Sequence, residues 1–264
     1  MTRPARELSF GYSPCPNDTF AFHALTFGLI NAPFKIRPVL LDIEELNRRA
    51  HSGELDITKL SVGAFSSIGA RYRLLRSGAA LGRGVGPLVV AREPMSLDQA
   101  ISGGPVAIPG RDTTAWRLLR LAAGKPVDAV EIRYDGILNA VASGRARSGL
   151  IIHESRFTYQ DHGLHKLLDL GDWWEAQTSL PVPLAGICAR ADLDDGLVVA
   201  AEHAIRASVE YAFRNPGASR DYVRAHSQEM SEEVCARHIA LYVNDYSLDI
   251  GENGLAAIKR LASA

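Results

Sequence analysis

The apolar run Leu8-Ser9-Phe10-Gly11-Tyr12 has the length of a short strand, and it leaves through SPCPNDTF at 13–20 into the helical pattern FAFHALTF. Further along, FKIRPVLL reads as a strand, DIEELNRRAHSG as a helix and DITKLSV as a strand again. Such alternation of short β-like runs with helical patterns predicts an α/β fold with a mainly parallel sheet. A second alternating set follows the same order, with PVAIPG, TTAWRLLRLAA, AVEIRYD, GILNAVASG and SGLIIHE. GRGVGPLVVAR lies between the sets and PVPLAGICARA follows them. Both are apolar, β-branched and bracketed by glycine and proline, which suits strands that carry the chain out of one lobe and back. From Asp194 the pattern is helical to the end, through GLVVAAEHAIRASVEYAFRN, SRDYVRAHSQEM, SEEVCARHIALYV and GENGLAAIKRLAS. The expected architecture is two α/β lobes, 1–88 plus 187–264 and 89–186, with the carboxy-terminal helices returning to the first lobe. A ligand then belongs in the cleft between lobes, where strand ends and helix amino termini converge.

Two local patterns sharpen this outline. In DIEELNRRAHSG, Asp42 and Glu45 have capping-box spacing, Glu44 and Arg48 form an i,i+4 pair and Gly53 supplies a stop, which predicts an ordinary solvated helix. In SPCPNDTF the prolines fix φ and withhold two backbone donors, and Asn17 or Asp18 is placed to cap the next helix. The corner is therefore stiff and polar at its tip. A rigid turn and a ligand-lining corner are both compatible with it.

Composition narrows the classes. A chain of 264 residues with 47% apolar residues has enough to bury a real core. Lys plus Arg number 29 against 30 acidic residues, so a net charge of −1 provides no general attraction to nucleic acid or anionic lipid. Neither is expected as a partner, and any anion must be caught locally. The opening MTRPARELSFGYSP has no apolar stretch of signal-peptide length and no window approaches a membrane span, so a cytoplasmic location is expected. Cys15, Cys188 and Cys235 lack CxxC spacing, which argues for free thiols over a disulfide framework or structural zinc.

Candidate chemistry lies at the ends of the predicted strands. Gly82-Arg83-Gly84-Val85-Gly86 is followed by the strand-like PLVVAR, whereas a dinucleotide fingerprint opens a helix, so the glycines are read as a bend between lobes. Pro109-Gly110-Arg111-Asp112-Thr113-Thr114 leaves a strand and enters a helix at paired hydroxyls, a place for helix capping or for binding a carboxylate. Lys59-Leu60-Ser61 ends the strand DITKLSV. Lys59 there is either a surface cation or a point charge at the cleft edge, with Ser61 fixing orientation. His153 follows Gly149-Leu150-Ile151-Ile152 at a strand's carboxyl end and is the candidate base. His23, His203 and His238 fall within helical patterns and His51 near a helix end, which favours packing or solvated roles. His162 and His165 lack the neighbours of a metal site.

Together, SPCPNDTF, DITKLS, GRGVGPLVVAR, PGRDTTAW and GLIIHESRFTY resemble the menaquinone-biosynthesis protein D family, the 1,4-dihydroxy-6-naphthoate synthases of the futalosine pathway. The resemblance continues through LGDWWEAQTSLPVPLAGI to YVNDYSLDIGE and so covers nearly the whole chain. It implies a two-lobed fold like the type II periplasmic binding proteins, with two crossing strands and a ligand cleft. It also implies conversion of cyclic dehypoxanthine futalosine to 1,4-dihydroxy-6-naphthoate and dihydroxyacetone. The implied partner is a small-molecule carboxylate; no redox cofactor or metal is implied, and a homodimer is left open. By the same resemblance His153 is the proton acceptor, and Lys59, Leu60, Ser61, Thr113 and Thr114 line the substrate site, with Ser13, Asn17 and Thr19 as candidate contacts from the first corner. The competing readings are a small-carboxylate binding protein without catalysis and the sister chorismate dehydratase of the same pathway. SPCPNDTF and IIHESRFTY favour the synthase.

Overall fold

The computed structural model describes residues 6–228 and 231–264. Its strands are β1 (Arg6–Tyr12), β2 (Phe34–Leu40), β3 (Ile57–Ser61), β4 (Tyr72–Leu74), β5 (Ala80–Gly82), β6 (Leu88–Ala91), β7 (Val106–Ile108), β8 (Ala129–Glu131), β9 (Ser148–Ile151), β10 (His165–Asp169) and β11 (Val182–Arg190). They form a six-stranded sheet in the order β2-β1-β3-β11-β4, with β5 also on β11, and a five-stranded sheet in the order β10-β6-β9-β7-β8. Pairing is parallel for β1 with β2 and β3 and for β7 with β8 and β9. It is antiparallel along β11, between β6 and β9, and between β6 and β10. The sheets are thus mixed where a mainly parallel sheet is expected. Strands joined by helical crossovers run parallel, whereas those through which the chain enters or re-enters a sheet run against their neighbours.

The chain changes sheet twice. It passes from β5 through 83–87 into β6, and returns from β10 through the helix Leu170–Thr178 into β11. Leu88 already pairs in the second sheet and Val182 in the first, so each change falls a few residues before the expected boundary. Gly84 and Gly86 have φ of 64° and 145°, the left-handed region that favours glycine, and they make the first bend. Arg156 secures it by donating to Gly86 O at 2.9 Å and to Asp169 Oδ2 at 2.6 Å.

The first core packs Leu8, Phe10 and Tyr12 of β1 against the helices Pro16–Thr26 and Asp195–Arg214, as expected for a carboxy-terminal segment returning to the first lobe. A second cluster is continuous across both sheets, joining Leu81 and Val182 to Val89, Ile108 and Leu150. Ile258 and Leu261 of the helix Gly251–Ala262 belong to it, and Arg117 donates to Ala262 O at 3.0 Å. The last helix therefore serves both sheets and not the first alone. Among the described residues no helix is long and apolar enough to cross a membrane.

Two local expectations are corrected. The first helix begins at Pro16 with Cys15 as an N-cap that makes no side-chain bond, so neither Asn17 nor Asp18 caps it. In the helix Ile43–Ala50, Asp42 accepts from Glu44 N and Glu45 N, but the Glu44–Arg48 pair is not formed. Arg48 and Arg49 both pair with Glu45, while Glu44 accepts from Asp112 N at 3.1 Å. A backbone donor from the facing segment thus occupies Glu44, and the helix buries Ile43, Leu46 and Asn47 where a solvated helix is expected.

Gly63, just after β3, lies close against the backbone of the Thr113–Thr114 helix start. A Cβ there would stand 2.7 Å from Thr113 O and 2.9 Å from Thr114 N. Gly63→Ala should destabilise the protein by about 1–3 kcal/mol through overpacking. The urea midpoint reads this, and an unchanged midpoint would show that the approach is not tight in solution.

Candidate active site

Between the two sheets lies a cleft lined by residues of both. Its polar groups come from five places: Asn17 at the first corner, Lys59 and Ser61 on β3, Thr113 and Thr114 at a helix start, His153 after β9, and His238 on the helix Glu232–Tyr242. Ile43, Ile152 and Leu184 supply apolar wall.

The SPCPNDTF corner is built around one carboxylate. Asp18 Oδ1 accepts from Lys59 Nζ at 2.6 Å and from Asn17 Nδ2 at 2.7 Å, and Oδ2 accepts from Ser13 N at 2.9 Å and Ser13 Oγ at 2.7 Å. The Lys59 and Asp18 side chains are only 5% and 3% exposed. Burying two charges is tolerable only when both are paired and the remaining lone pairs are satisfied, and four donors on one carboxylate meet that condition. Ser13 is thereby committed to Asp18, and Thr19 Oγ1 donates to Cys15 O at 3.0 Å, so both stand behind the cleft wall while Asn17 lines it. On β3, alternation turns Lys59 and Ser61 to the cleft and Leu60 to the opposite face, where it packs with Ala64, Ile68 and Tyr72. Ser61 is held by Asn47, whose Oδ1 accepts from Ser61 N at 2.9 Å and whose Nδ2 donates to Ser61 Oγ at 3.0 Å.

At the second corner both hydroxyls are engaged by protein. Thr113 caps its helix, accepting from Trp116 N at 3.2 Å and donating to Gly110 O at 2.7 Å. Thr114 Oγ1 donates to Leu184 O at 2.6 Å and accepts from Gly63 N at 3.0 Å, tying helix to β11 and to the end of β3. The N–H groups of Thr114 and Ala115 open the helix and have no intrahelical acceptor, and both residues line the cleft.

His153 has φ of 57°, an uncommon conformation for a side chain of this size and one that the surrounding structure must enforce. Its ring lies edge-on against Tyr134, with centroids 5.0 Å apart; the residue is half-buried, and its buried Nε2 has no partner among the described residues. Burial, and secondarily the Lys59 charge, lower its pKa from 6.5 to about 4 against the opposing pull of Asp18, so the imidazole is neutral at pH 7. His238 is 1% exposed and its centroid lies 6.4 Å from that of His153. Burial, then His153 and Lys59, push its pKa well below the usual value. The helical pattern around His238 favours a packing or solvated role; nothing local distinguishes it, because only the seating of that helix over the cleft brings it beside His153.

Two sheets with a cleft between them and carboxy-terminal helices packed back over the first define the class of the periplasmic-binding-protein-like folds, the last helix also reaching the second sheet. A Candida albicans protein with the generic periplasmic binding protein fold matches at a TM-score of 0.69, with 11% identity over 98% of this chain and 90% of that one. The chain itself belongs to the menaquinone biosynthesis family, whose model matches residues 8–264. It is 55% identical to the 1,4-dihydroxy-6-naphthoate synthase of Thermus thermophilus over 96% of this chain and 92% of the relative. The Streptomyces coelicolor protein of the same name is 44% identical over 97% and 92%.

Two predictions come from the buried charges. Lys59→Met should cost about 3–5 kcal/mol by stranding the Asp18 carboxylate, and Asp18→Asn on the same chain should recover part of it. Urea unfolding of the single and double variants checks this, and a Lys59→Met protein as stable as the wild type would refute it. The second concerns pH. His153 stays neutral in the native chain but takes up a proton below 6.5 once unfolded, so its burial destabilises progressively as pH falls from 6.5 to about 4. That interval corresponds to about 3 kcal/mol. The difference in unfolding free energy between wild type and His153→Asn should shift against the wild type by that order across the window; a constant difference would mean that the imidazole is not desolvated.

Proposed function

We infer that this protein is a lyase that converts cyclic dehypoxanthine futalosine to 1,4-dihydroxy-6-naphthoate and dihydroxyacetone in menaquinone biosynthesis, acting in the cytoplasm. The observation that carries the reading is the neutral His153, whose buried Nε2 has no partner among the described residues, at the wall of the cleft in a chain that the family model matches over residues 8–264. The reaction detaches a sugar-derived fragment from a bicyclic acid. It needs a proton removed from the fragment and an electron pair delivered toward an incipient aromatic ring. A neutral imidazole can accept that proton at pH 7.

In this reading ring opening precedes a retro-aldol-like cleavage, with His153 as the proton acceptor. The free N–H groups of Thr114 and Ala115 receive the substrate carboxylate, with the helix amino terminus favouring the anion. Lys59 contributes less net charge than an unpaired cation would, since Asp18 already faces it, and it acts with Asn17 and Ser61 to orient the substrate. The apolar wall receives the bicyclic ring. The two lobes are the two sheets with their helices, and the substrate lies between them.

Incubation of the purified protein with cyclic dehypoxanthine futalosine, and separately with chorismate, tests the reading by mass detection of naphthoate. Formation from the first alone is expected, and its absence sinks the assignment. His153→Ala should lower kcat by about 10²–10⁴-fold with little change in KM. In the wild type, kcat/KM should hold down to about pH 4 before protonation removes the base, and not fall near 6.5 as for an exposed histidine. An acid limb near 6.5 that persists in His153→Ala would send the search for the base elsewhere in the cleft.

A further inference from the structure

A histidine on a packed helix is an expensive choice where leucine would fill the same space, because its ring nitrogens must be desolvated. His238 makes that choice on the helix Glu232–Tyr242. The ring is fixed from several sides: edge-on against Tyr242 with centroids 4.7 Å apart, 6.3 Å from Phe157, and with Nδ1 3.7 Å from Glu154 Oε2. Nδ1 has no hydrogen bond among the described residues, and the residue lines the cleft together with His153. One turn of chain after β9 therefore places His153 in the cleft and Glu154 beside the second imidazole.

We propose that His238 is a second proton-transfer residue of the reaction, oriented by Glu154 and facing the same substrate as His153. The inference rests on the lyase reading above. That reading requires two bond cleavages. In each, a base takes an O–H proton, the oxygen's electron pair forms a carbonyl, the breaking bond's pair goes to the departing atom, and a proton returns to that atom. Nothing is oxidised or reduced overall, and no co-reactant is consumed. The two cleavages fall at different atoms of the substrate, and one imidazole at hydrogen-bond reach of about 3 Å cannot serve both without moving. Two rings with centroids 6.4 Å apart on one cleft can divide them. Glu154 would select the tautomer. A contact of 3.7 Å tightens to a hydrogen bond by a small shift, as catalytic contacts commonly do when substrate binds, and a proton held on Nδ1 leaves Nε2 as the acceptor.

The test uses the full chain and cyclic dehypoxanthine futalosine, with His238→Gln and His238→Ala beside the wild type. Wild-type formation of naphthoate first establishes the reaction; if it fails, the functional reading fails and not the role of His238. Given turnover, His238→Gln should lose about 10²-fold or more in kcat with KM within about threefold, and rapid quenching should reveal a ring-opened species that the wild type does not accumulate. Added imidazole should restore part of the activity of His238→Ala, through the space the ring leaves. Near-normal kcat in His238→Gln overturns the proposal. So does a loss of activity in His238→Ala that follows a loss of substrate binding and that imidazole does not relieve, which is the behaviour of a packing residue.

Discussion

The site rests on one buried ion pair. Lys59 reaches from β3 to Asp18 in the first turn of the first helix, and Asp18 in turn collects Asn17 and both polar groups of Ser13. In a low-dielectric interior neither charge is tolerable alone, so the pair fixes the distance between the end of β3 and the corner after β1. The two polar side chains that β3 contributes to the cleft, Lys59 and Ser61, are held by that bond and by the Asn47 clamp on Ser61. The same pair also shapes the chemistry. Lys59 and Asp18 pull the His153 imidazole in opposite directions, which leaves burial as the dominant influence on its protonation.

The second sheet is brought to the first through contacts of different character. An apolar cluster runs across both sheets, and Thr114 spans the gap with one hydroxyl that serves Leu184 O and Gly63 N together. Gly63 and Gly86 permit close backbone approaches on either side. The cleft is therefore a space left by packing, with apolar walls and polar groups from strands, helix starts and the body of the helix Glu232–Tyr242. That arrangement brings two largely desolvated imidazoles and the backbone donors of a helix start to the same space.

Several site residues are legible in the sequence because their roles are local. Thr113 is a helix cap by its place after Gly110 and before an apolar periodic run, and it caps. His153 follows a continuous apolar strand, and strand ends in such folds face the cleft. Other roles could not be read this way. Ser13, Thr19 and Leu60 share segments with cleft residues, but Ser13 is committed to Asp18, Thr19 to the turn of its own helix, and Leu60 lies on the other face of its strand. Motif membership names a segment, whereas side-chain direction names the residue.

The sequence by itself determined the alternation of strands and helices, the change of lobe at GRGVG and the family to which the chain belongs. Those are carried by periodicity, glycine and proline placement, and contiguous motifs. Tertiary structure alone decided the mixed direction of the sheets, the pairing of Lys59 with Asp18 across 41 residues, and the arrival of His238 from a helix far along the chain beside His153. The physical reason is that pairing energies in the interior depend on distance and desolvation, and both are set by how segments remote in sequence pack together.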